Sequence, residues 1–482
     1  MSSRIGAKRG AQLFDELVVD NFAGGGGASI GIELALGRAV DIAVNHDPEA
    51  VAMHRVNHPS TRHYCQDVFA VDPLLATGGR PVGLAWFSPD CTYFSKARGA
   101  KPIRDVKRRD LAWVVIRWAR AVRPRVIMLE NVEEFRGWGP LVEGRPCPER
   151  RGQTFQRWIS ELRGEGYEVQ WRELRACDYG APTVRKRLFL IARCDGKPIA
   201  WPEPTHGPGR AVPYRTAAEC IDWSLSCPSI FERLRPLAQK TLQRIATGVR
   251  RFVLESGQPF AVHLTHWGEE PPIDLDAPAP TVTGANRGET ALVSAFAVPR
   301  YGERPTQDPR CISLERPLPT VVGTGNGATL VAAFLAKHFG GVVGQRADSP
   351  ASTVTAKDHH ALVEVAIAAQ GDHGREVATL VDRLAPGAML RDAEGRPLVR
   401  INGAEFALLD IGMRMLSPRE LFACQGFPNG YVIHAGRDDR GHVYTLTKTA
   451  QVRLCGNSVC PPVARALLRT NCQDMTVKES VA

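Results

Sequence analysis

The sequence lacks three features that mark whole classes of protein. It has no run of about 18 apolar residues, so it predicts no helix that spans a membrane. Its N-terminus lacks the apolar core of a signal peptide, which favours a cytoplasmic protein. None of its 12 cysteines forms a CxxC pair or lies beside histidines at the spacing of zinc ligands. We therefore expect free thiols in a reducing compartment and no metal site.

The chain is long and basic. Its 482 residues exceed what one hydrophobic core supports, so two or three domains are expected. Lys and Arg outnumber Asp and Glu by 61 to 51, which favours a polyanionic partner such as nucleic acid, although charge alone leaves other basic proteins open. Seven Lys or Arg and a single acid fall within residues 96–109. This cationic segment, directly after Cys91, predicts a substrate that carries phosphates.

The first 195 residues alternate short apolar runs with amphipathic stretches. The apolar runs, which predict strands, lie at 17–20, 42–45, 82–87, 126–129 and 188–192. This alternation predicts an α/β fold with a doubly wound parallel sheet. Five prolines between residues 198 and 213 mark a domain boundary. We place a first domain at residues 1–199, a second at 200–411 and a C-terminal segment at 412–482.

The second domain contains an internal repeat. The motif Pro-x-Pro/Ser-Thr-Val occurs three times, and each copy ends in Leu-Val at 292–293, 330–331 or 362–363. Its β-branched residues around polar tips predict three hairpin-like units and a β-rich domain. The tips, at 286–287, 325–326 and 357–360, are candidates for reading base edges and equally candidates for plain surface turns.

Cys91 follows a buried strand in the run WFSPDCTYFS at 86–95. A turn begins at Ser88 and Pro89, and α/β enzymes keep nucleophiles on turns that follow strand ends. The alternative is a cysteine that serves as a small core hydrophobe.

A glycine-rich run, DNFAGGGG at 20–27, follows the first strand. It permits a tight turn and leaves backbone amides open to a nucleotide-like ligand. Asp47 ends the second strand, where it would bind ribose hydroxyls, and Asp67 follows the next strand, where it would meet an adenine amino group. This layout suits an adenosyl cofactor.

Glu130 ends a buried strand at the same sheet edge as Cys91. Partial desolvation there is expected to raise its pKa, so that it delivers a proton near neutrality; a helix cap or a solvated edge is the alternative. Arg185 and Arg187 alternate along an extended segment, which places both guanidinium groups on one face. Two such groups suit a carbonyl oxygen, a carboxylate or a phosphate, or they make ordinary ion pairs.

Taken in order, six motifs resemble those of the cytosine carbon-5 DNA methyltransferases. They are the run at 20–27, PDC at 89–91, ENV at 130–132, RKR at 185–187, RMLSPRE with QGFP at 414–428, and GNSV at 456–459. The resemblance covers residues 17–195 and 412–470. It departs at Asp90, where the family has Pro, at Thr183, where it has Gln, and at Asn45 and His46, near its ribose-binding acid. Asp47 is the substitute for that acid, and Asp90 is expected to oppose formation of the Cys91 thiolate.

The resemblance implies a fold, a cofactor and a reaction. It implies the Rossmann-like fold of S-adenosylmethionine-dependent methyltransferases, S-adenosyl-L-methionine as cofactor and double-stranded DNA as partner. In this reaction Cys91 adds to carbon 6 of a flipped cytosine, Glu130 holds ring nitrogen 3, and Arg187 with Arg185 nearby holds the base oxygen. The residues that would bind the cofactor are Phe22, Ala23, Gly24, Gly25, Gly27, Asp47, Asp67, Asn457 and Ser458.

The family's architecture also implies that residues 412–482 return to the catalytic domain and that residues 200–411 recognise the target. A monomer is expected, with a cognate restriction endonuclease as a candidate partner. Three alternatives remain: a tRNA cytosine methyltransferase, a non-catalytic DNA-binding relative and a Rossmann dehydrogenase. The long region 200–411 favours DNA over tRNA. Cys91, Glu130 and Arg187 together favour an enzyme, and a dehydrogenase leaves Cys91 and Glu130 unexplained.

Overall fold

The computed structural model describes residues 16–91, 94, 106–216, 218–220, 222, 225, 228–237, 239–254, 261–263, 290–299, 312–313, 328–337, 360–366, 373–401, 404–408 and 410–477. Most of the cationic segment and the predicted tips at 286–287 and 325–326 lie outside these residues. So do the three repeat motifs and the tip residues 357–359. None of the helices in the described part of the chain is long and apolar enough to cross a membrane.

A seven-stranded sheet forms the first half of the molecule. The strands of this half, which include a small separate hairpin of β6 and β7, are β1 (Leu17–Asn21), β2 (Ile42–Asn45), β3 (Arg62–Cys65), β4 (Val82–Phe87), β5 (Val126–Asn131), β6 (Leu141–Val142), β7 (Arg145–Pro146), β8 (Glu168–Arg175) and β9 (Lys186–Arg193). The sheet order is β3-β2-β1-β4-β5-β9-β8, and the first five strands are parallel. The predicted α/β class and doubly wound core are confirmed.

The prediction of a wholly parallel sheet is wrong for one strand, β9, whereas β8 runs in the same direction as β1 to β5. β9 runs antiparallel to both β5 and β8. Residues 176–185, which join β8 to β9, are too few for the crossover that a parallel pair requires. The reversal matters for the site, because it brings the beginning of β9 beside the end of β5.

Helices cover both faces of the sheet. Those of the first half are α1 (Gly27–Leu36), α2 (Pro48–Asn57), α3 (Pro73–Thr77), α4 (Val106–Arg109), α5 (Trp113–Val122) and α6 (Gln153–Gly164). On one face, α5 and α6 bury Trp118 and Trp158 against the sheet. Their apolar residues recur every three to four positions, which is the period of a helix packed on one side.

The opposite face is covered by α1 and by a helix from the C-terminal end of the chain. The remaining helices are α7 (Gln239–Gly248), α8 (Gly374–Leu384), α9 (Pro418–Cys424), α10 (Lys448–Gly456) and α11 (Pro461–Asn471). Leu467 and Leu468 of α11 share a core with Val18 and Ile32. A Cβ on Gly31 would lie 2.6 Å from the Cβ of Ala464, so glycine permits the close approach of α1 and α11.

A second, antiparallel sheet follows the first half. The remaining strands are β10 (Ala261–His263), β11 (Thr290–Pro299), β12 (Ile312–Ser313), β13 (Ala328–Lys337), β14 (His360–Ala366), β15 (Leu398–Ile401), β16 (Ala404–Ala407), β17 (Asp410–Met415), β18 (Ala435–Arg437) and β19 (Val443–Thr445). The order is β10-β11-β13-β14-β17, with β12 on β11. The Leu-Val end of each repeat copy lies in β11, β13 or β14, so each copy supplies one strand to a shared sheet. The β-rich character is therefore confirmed, while the limits of the three domains stay a prediction.

The buried side chain of Asn21 destabilises the seven-stranded sheet. It is fully buried at the end of β1, and neither its Nδ2 nor its Oδ1 has a hydrogen-bond partner among the described residues. A buried polar group without a partner costs about 1–3 kcal/mol. Asn21→Leu, which is similar in size, should therefore raise the free energy of unfolding by about 1 kcal/mol in a urea titration.

Asn131→Leu is the matched control, because the Asn131 carboxamide donates to the carbonyl of Pro89 and accepts from the amide of Val132. That variant should be less stable than the unmodified protein. A loss of stability in Asn21→Leu as large as in the control would show that the Asn21 carboxamide has partners.

Candidate active site

The loop between β1 and α1 has an unusual backbone. Phe22, Gly24 and Gly26 have φ angles of 65°, 52° and 82°, in the left-handed region that side chains disfavour. Phe22 is the one residue of these three that has a side chain. Its half-buried ring lies at the carboxyl edge of the sheet. We call residues 22–27 the glycine loop.

The glycine loop packs against the GNSV turn of the C-terminal segment. A Cβ on Gly25 would lie 2.7 Å from Ser458 Oγ, and one on Gly27 would overlap the carbonyl oxygen of Val459. Ser458 is buried and donates to the carbonyl of Leu454 at 2.8 Å, whereas Asn457 is exposed. The structure thus brings together the two motifs that the sequence assigns to the cofactor, although they lie more than 400 residues apart.

The two predicted cofactor acids have different surroundings. Asp47 caps α2 by accepting from the amide of Glu49 at 3.0 Å, and it also forms an ion pair with Arg453. Asp67 is exposed after β3 and accepts from the amide of Phe69 at 2.8 Å. Asp47 lies after β2, which neighbours β1, and Asp67 lies after β3, the next strand beyond β2. A narrow crevice lies between the loop and β2, lined by Ala23, Gly24, Ala43, Val44, Asn45, Val51, His54 and His63.

Cys91 lies on the turn after β4, half-buried, as the sequence predicts. β4 and β5 are parallel neighbours, with Phe87 opposite Leu129. The side chain of Asn131 donates to the carbonyl of Pro89 at 3.0 Å and joins the two loops. This bond fixes the turn that carries Cys91 relative to the strand end that carries Glu130.

Two arginines face the carboxylate of Glu130. Arg187 Nε lies 3.3 Å and Arg185 Nη2 lies 4.0 Å from Glu130 Oε1, and all three side chains are almost fully buried. The prediction that both guanidinium groups share one face is confirmed by their approach to a single oxygen. Arg185 also donates to the carbonyl of Gly456 at 3.1 Å, which connects the pair to the C-terminal segment.

Charges and burial together set the acidity of Cys91. Burial raises the pKa of the thiol to about 11; Arg187 and Arg185 lower that pKa, whereas Glu130 and Asp90 raise it. The expected opposition of Asp90 to the thiolate is confirmed in direction. A thiol with this pKa is protonated at neutral pH.

No individual role was assigned from the sequence to Asp20, Arg453, Gln425 or Tyr431, although Asp20 and Gln425 belong to the motifs at 20–27 and 414–428. The buried Asp20 accepts from Ser29 Oγ at 2.7 Å, and burial raises the pKa of its carboxyl to about 7. Gln425 donates to the carbonyl of Cys455 at 3.3 Å and so supports the GNSV turn. An acid that directly follows an apolar strand was the available signal for Asp20. The partners of the other three lie far away in sequence.

Comparisons with known proteins agree with the geometry. A family model described as "C-5 cytosine-specific DNA methylase" matches residues 17–221 and 369–472. The Type II methyltransferase M.AquIA of Picosynechococcus sp. is 28% identical over 223 residues, which are 43% of this chain and 88% of that protein. M.SacI of Streptomyces achromogenes is 30% identical over 213 residues, which are 39% of this chain and 50% of that one.

M.NaeI of Lentzea aerocolonigenes is 32% identical over 195 residues, which are 39% of this chain and 43% of that protein. Apart from M.AquIA, the chain thus spans about half the length of these curated relatives or less. Among solved structures, the S. pombe Dnmt2 methyltransferase aligns over 94% of this chain and 97% of its own, with 13% identity and a TM-score of 0.46. A likeness of that degree carries no argument about substrate.

The position of Asp90 generates a pH prediction. Because its charge raises the pKa of Cys91, Asp90→Asn should lower that pKa and favour the thiolate. The rate of alkylation of Cys91 by iodoacetamide, followed by mass spectrometry, should reach its half-maximum at a pH lower by about half a unit.

Asp439→Asn, which removes an exposed charge far along the chain, should leave the profile unchanged. An identical profile for Asp90→Asn would mean that the carboxylate of Asp90 does not act on the thiol.

Proposed function

The chain belongs to the C-5 cytosine-specific DNA methylase family, and from that premise we propose that it methylates carbon 5 of cytosine in double-stranded DNA. The methyl donor in this proposal is S-adenosyl-L-methionine. One observation carries the proposal: Cys91, Glu130, Arg185 and Arg187 converge at one sheet edge. A nucleophile, a carboxylate and two cations at that edge match the needs of addition to a pyrimidine ring.

The residues around the glycine loop fit an adenosyl cofactor. The half-buried Phe22 offers an aromatic face, Gly24 is partly exposed, and Asp47 and Asp67 stand at the next two strand ends. Ligands of doubly wound sheets bind at such carboxyl ends, near the first helix. When bound, the cofactor supplies an electrophilic methyl group on a sulfonium. Phe22, Ala23, Gly24, Gly25, Gly27, Asp47, Asp67, Asn457 and Ser458 would hold it.

Cys91 starts the chemistry in this proposal. Carbon 5 of cytosine is a weak nucleophile, and addition of the Cys91 thiolate to carbon 6 makes it enamine-like. Glu130 holds the proton at ring nitrogen 3 and so stabilises the charge that develops on the ring. Carbon 5 would take the methyl group as the bond from that group to the sulfonium breaks, which would leave a neutral thioether. Water would then accept the proton of carbon 5 as the bond between the Cys91 sulfur and carbon 6 breaks and the thiolate is restored.

Arg187 has two roles in this scheme. It lowers the pKa of Cys91 more than Arg185 does, and it lies within 3.3 Å of Glu130. When a proton shared with ring nitrogen 3 offsets the charge of Glu130, the arginines act on the thiol with less opposition. Binding of the base would in this way promote formation of the thiolate only when a substrate is present.

The target carbon is stacked inside a duplex, so the cytosine has to leave the helix, at a cost of a few kcal/mol. We propose that the cationic segment at 96–109 contacts the DNA backbone and helps to offset this cost. Arg108, in its described part, is exposed and lies 3.9 Å from Asp90, beside the nucleophile. Phosphate contacts would therefore form close to Cys91.

Residues 200–411 are proposed to recognise the target sequence. The second sheet ends in β17, which leads directly into α9 through the Ser417 capping box. Arg414 of β17 forms a buried ion pair with Glu420 at 2.9 Å and donates to the carbonyl of Asp222 at 2.8 Å. The second sheet is thus connected through β17 to α9 of the C-terminal segment. Because relatives are named Type II methyltransferases, a cognate restriction endonuclease is the proposed partner system.

Cys91→Ala tests the nucleophile. It should abolish cytosine methylation, scored by bisulfite sequencing of DNA from cells that express the protein, because the Cys91 sulfur is the nucleophile in this proposal. Binding of S-adenosyl-L-methionine by the purified variant should persist, since the glycine loop is separate. Cys147→Ala, which removes a half-buried cysteine from another loop, should methylate normally. Methylation by Cys91→Ala, or methyl transfer to tRNA instead of duplex DNA, would contradict the proposal.

Arg187→Ala tests the charge balance. Loss of its guanidinium should reduce turnover about 100-fold, as loss of one stabilising donor does in other enzymes, while the Kd for DNA changes little. Arg172→Ala removes an exposed arginine from neighbouring β8 and is the control for loss of positive charge. If affinity for DNA falls as much as turnover does, Arg187 binds phosphates instead.

A further inference from the structure

We propose that Tyr431 is a positioning residue of the cofactor site, whose hydroxyl holds the carbonyl of Gly25 and so fixes the glycine loop. The nature of the ligand rests on the proposed function. The geometry of the contact does not depend on it.

The contact between Tyr431 and the glycine loop is direct and buried. Tyr431 Oη lies 2.9 Å from the carbonyl oxygen of Gly25, to which it donates. Its ring packs between Phe422 and Phe427, with centroid distances of 6.5 and 5.0 Å. A Cβ on Gly26 would overlap the Tyr431 hydroxyl, so glycine at this position makes room for the phenol.

The direction of the bond follows from the available hydrogens. The phenol has one hydrogen and the carbonyl of Gly25 only accepts, so that hydrogen points to Gly25. Tyr431 Oη also lies 3.2 Å from His58 Nε2. His58 Nδ1 lies 2.7 Å from a carboxylate oxygen of Glu33, so the histidine connects the phenol to Glu33. Burial raises the pKa of Tyr431 well above its usual value and keeps the phenol a neutral donor.

Tyr431 completes the restraint of one peptide plane. The amide of Gly26 donates to the carbonyl of Ala23 at 2.9 Å, and the carbonyl of Gly25 belongs to the same planar peptide unit. With both ends bonded, this peptide cannot rotate. Glycines lose the most conformational freedom when they are ordered, so a loop that is already ordered binds its ligand more tightly.

Without the Tyr431 hydroxyl, the buried carbonyl of Gly25 would lose its donor. The loop would then relax into other conformations, because Gly24 and Gly26 tolerate both signs of φ. Tyr431 follows α9, in the C-terminal segment, which therefore controls the order of a loop near the start of the chain. A residue that only packs would affect stability alone. The proposed role of Tyr431 predicts in addition that loss of its hydroxyl weakens cofactor binding.

Tyr431→Phe tests the proposal, because it removes the hydroxyl and keeps the ring. S-adenosyl-L-homocysteine, which has no methyl group to transfer, serves as the probe in calorimetry without DNA. The Kd should rise about 10-fold, which corresponds to the loss of one buried hydrogen bond. Amide exchange of residues 22–27 in the ligand-free protein should be faster.

Tyr167→Phe is the matched control. Tyr167 is equally buried, and its hydroxyl donates to the carbonyl of Pro124 at 2.7 Å, away from the glycine loop. This variant should lose similar thermal stability but keep the Kd and the exchange rates of the unmodified protein. Equal affinity in Tyr431→Phe and Tyr167→Phe would overturn the positioning role.

Failure of the unmodified protein to bind the probe would count against the proposed function. The exchange measurement still decides the role of Tyr431 in that case. Faster exchange of residues 22–27 in Tyr431→Phe alone supports that role, and unchanged exchange overturns it.

Discussion

The carboxylate of Glu130 is buried between Arg187 and Arg185, and the rest of the site depends on this charge balance. A buried carboxylate without a cation is too costly to keep ionised. A buried thiol beside an uncompensated carboxylate would be harder still to ionise than Cys91 is. Two arginines oppose the charges of Glu130 and Asp90 around the thiol, and in the proposed reaction a bound base that offsets the charge of Glu130 tilts this balance towards the thiolate.

The direction of β9 places the two arginines beside the carboxylate of Glu130. Because β9 is antiparallel to β5, its first residues lie beside the last residues of β5. A parallel β9 would place Arg185 and Arg187 at the opposite edge of the sheet, a strand length away from Glu130. The short β8–β9 connection therefore has a chemical consequence as well as a topological one.

Much of the site could be predicted from the sequence, because strand ends are visible in it. Cys91, Glu130 and the arginines each adjoin a short apolar run, and the carboxyl ends of parallel strands meet at one edge. The direction of β9 was not visible, since a fully apolar run has no periodicity that reports orientation. The sequence also did not show which side chains bind Asp47 and the carbonyl of Gly25. Arg453 and Tyr431 lie 406 residues further along the chain, and only tertiary packing brings them close.

The internal repeat also shows how far the sequence predicts structure. Its β-branched composition predicted strands, and the strands are present, but pairing between copies is a long-range property of the sheet. Local hairpin patterns specify turns and not the neighbours of a strand. The composition therefore established a β-rich domain, and the three-dimensional structure was needed to show that the copies share one sheet.

Covalent trapping tests the central claim most directly. In a duplex that contains 5-fluorocytosine, methylated carbon 5 has no proton to lose, so the bond between sulfur and carbon 6 cannot break. Mass spectrometry of the digested complex should find the modified base attached to Cys91. An adduct on any other residue, or turnover without an adduct, would contradict the account.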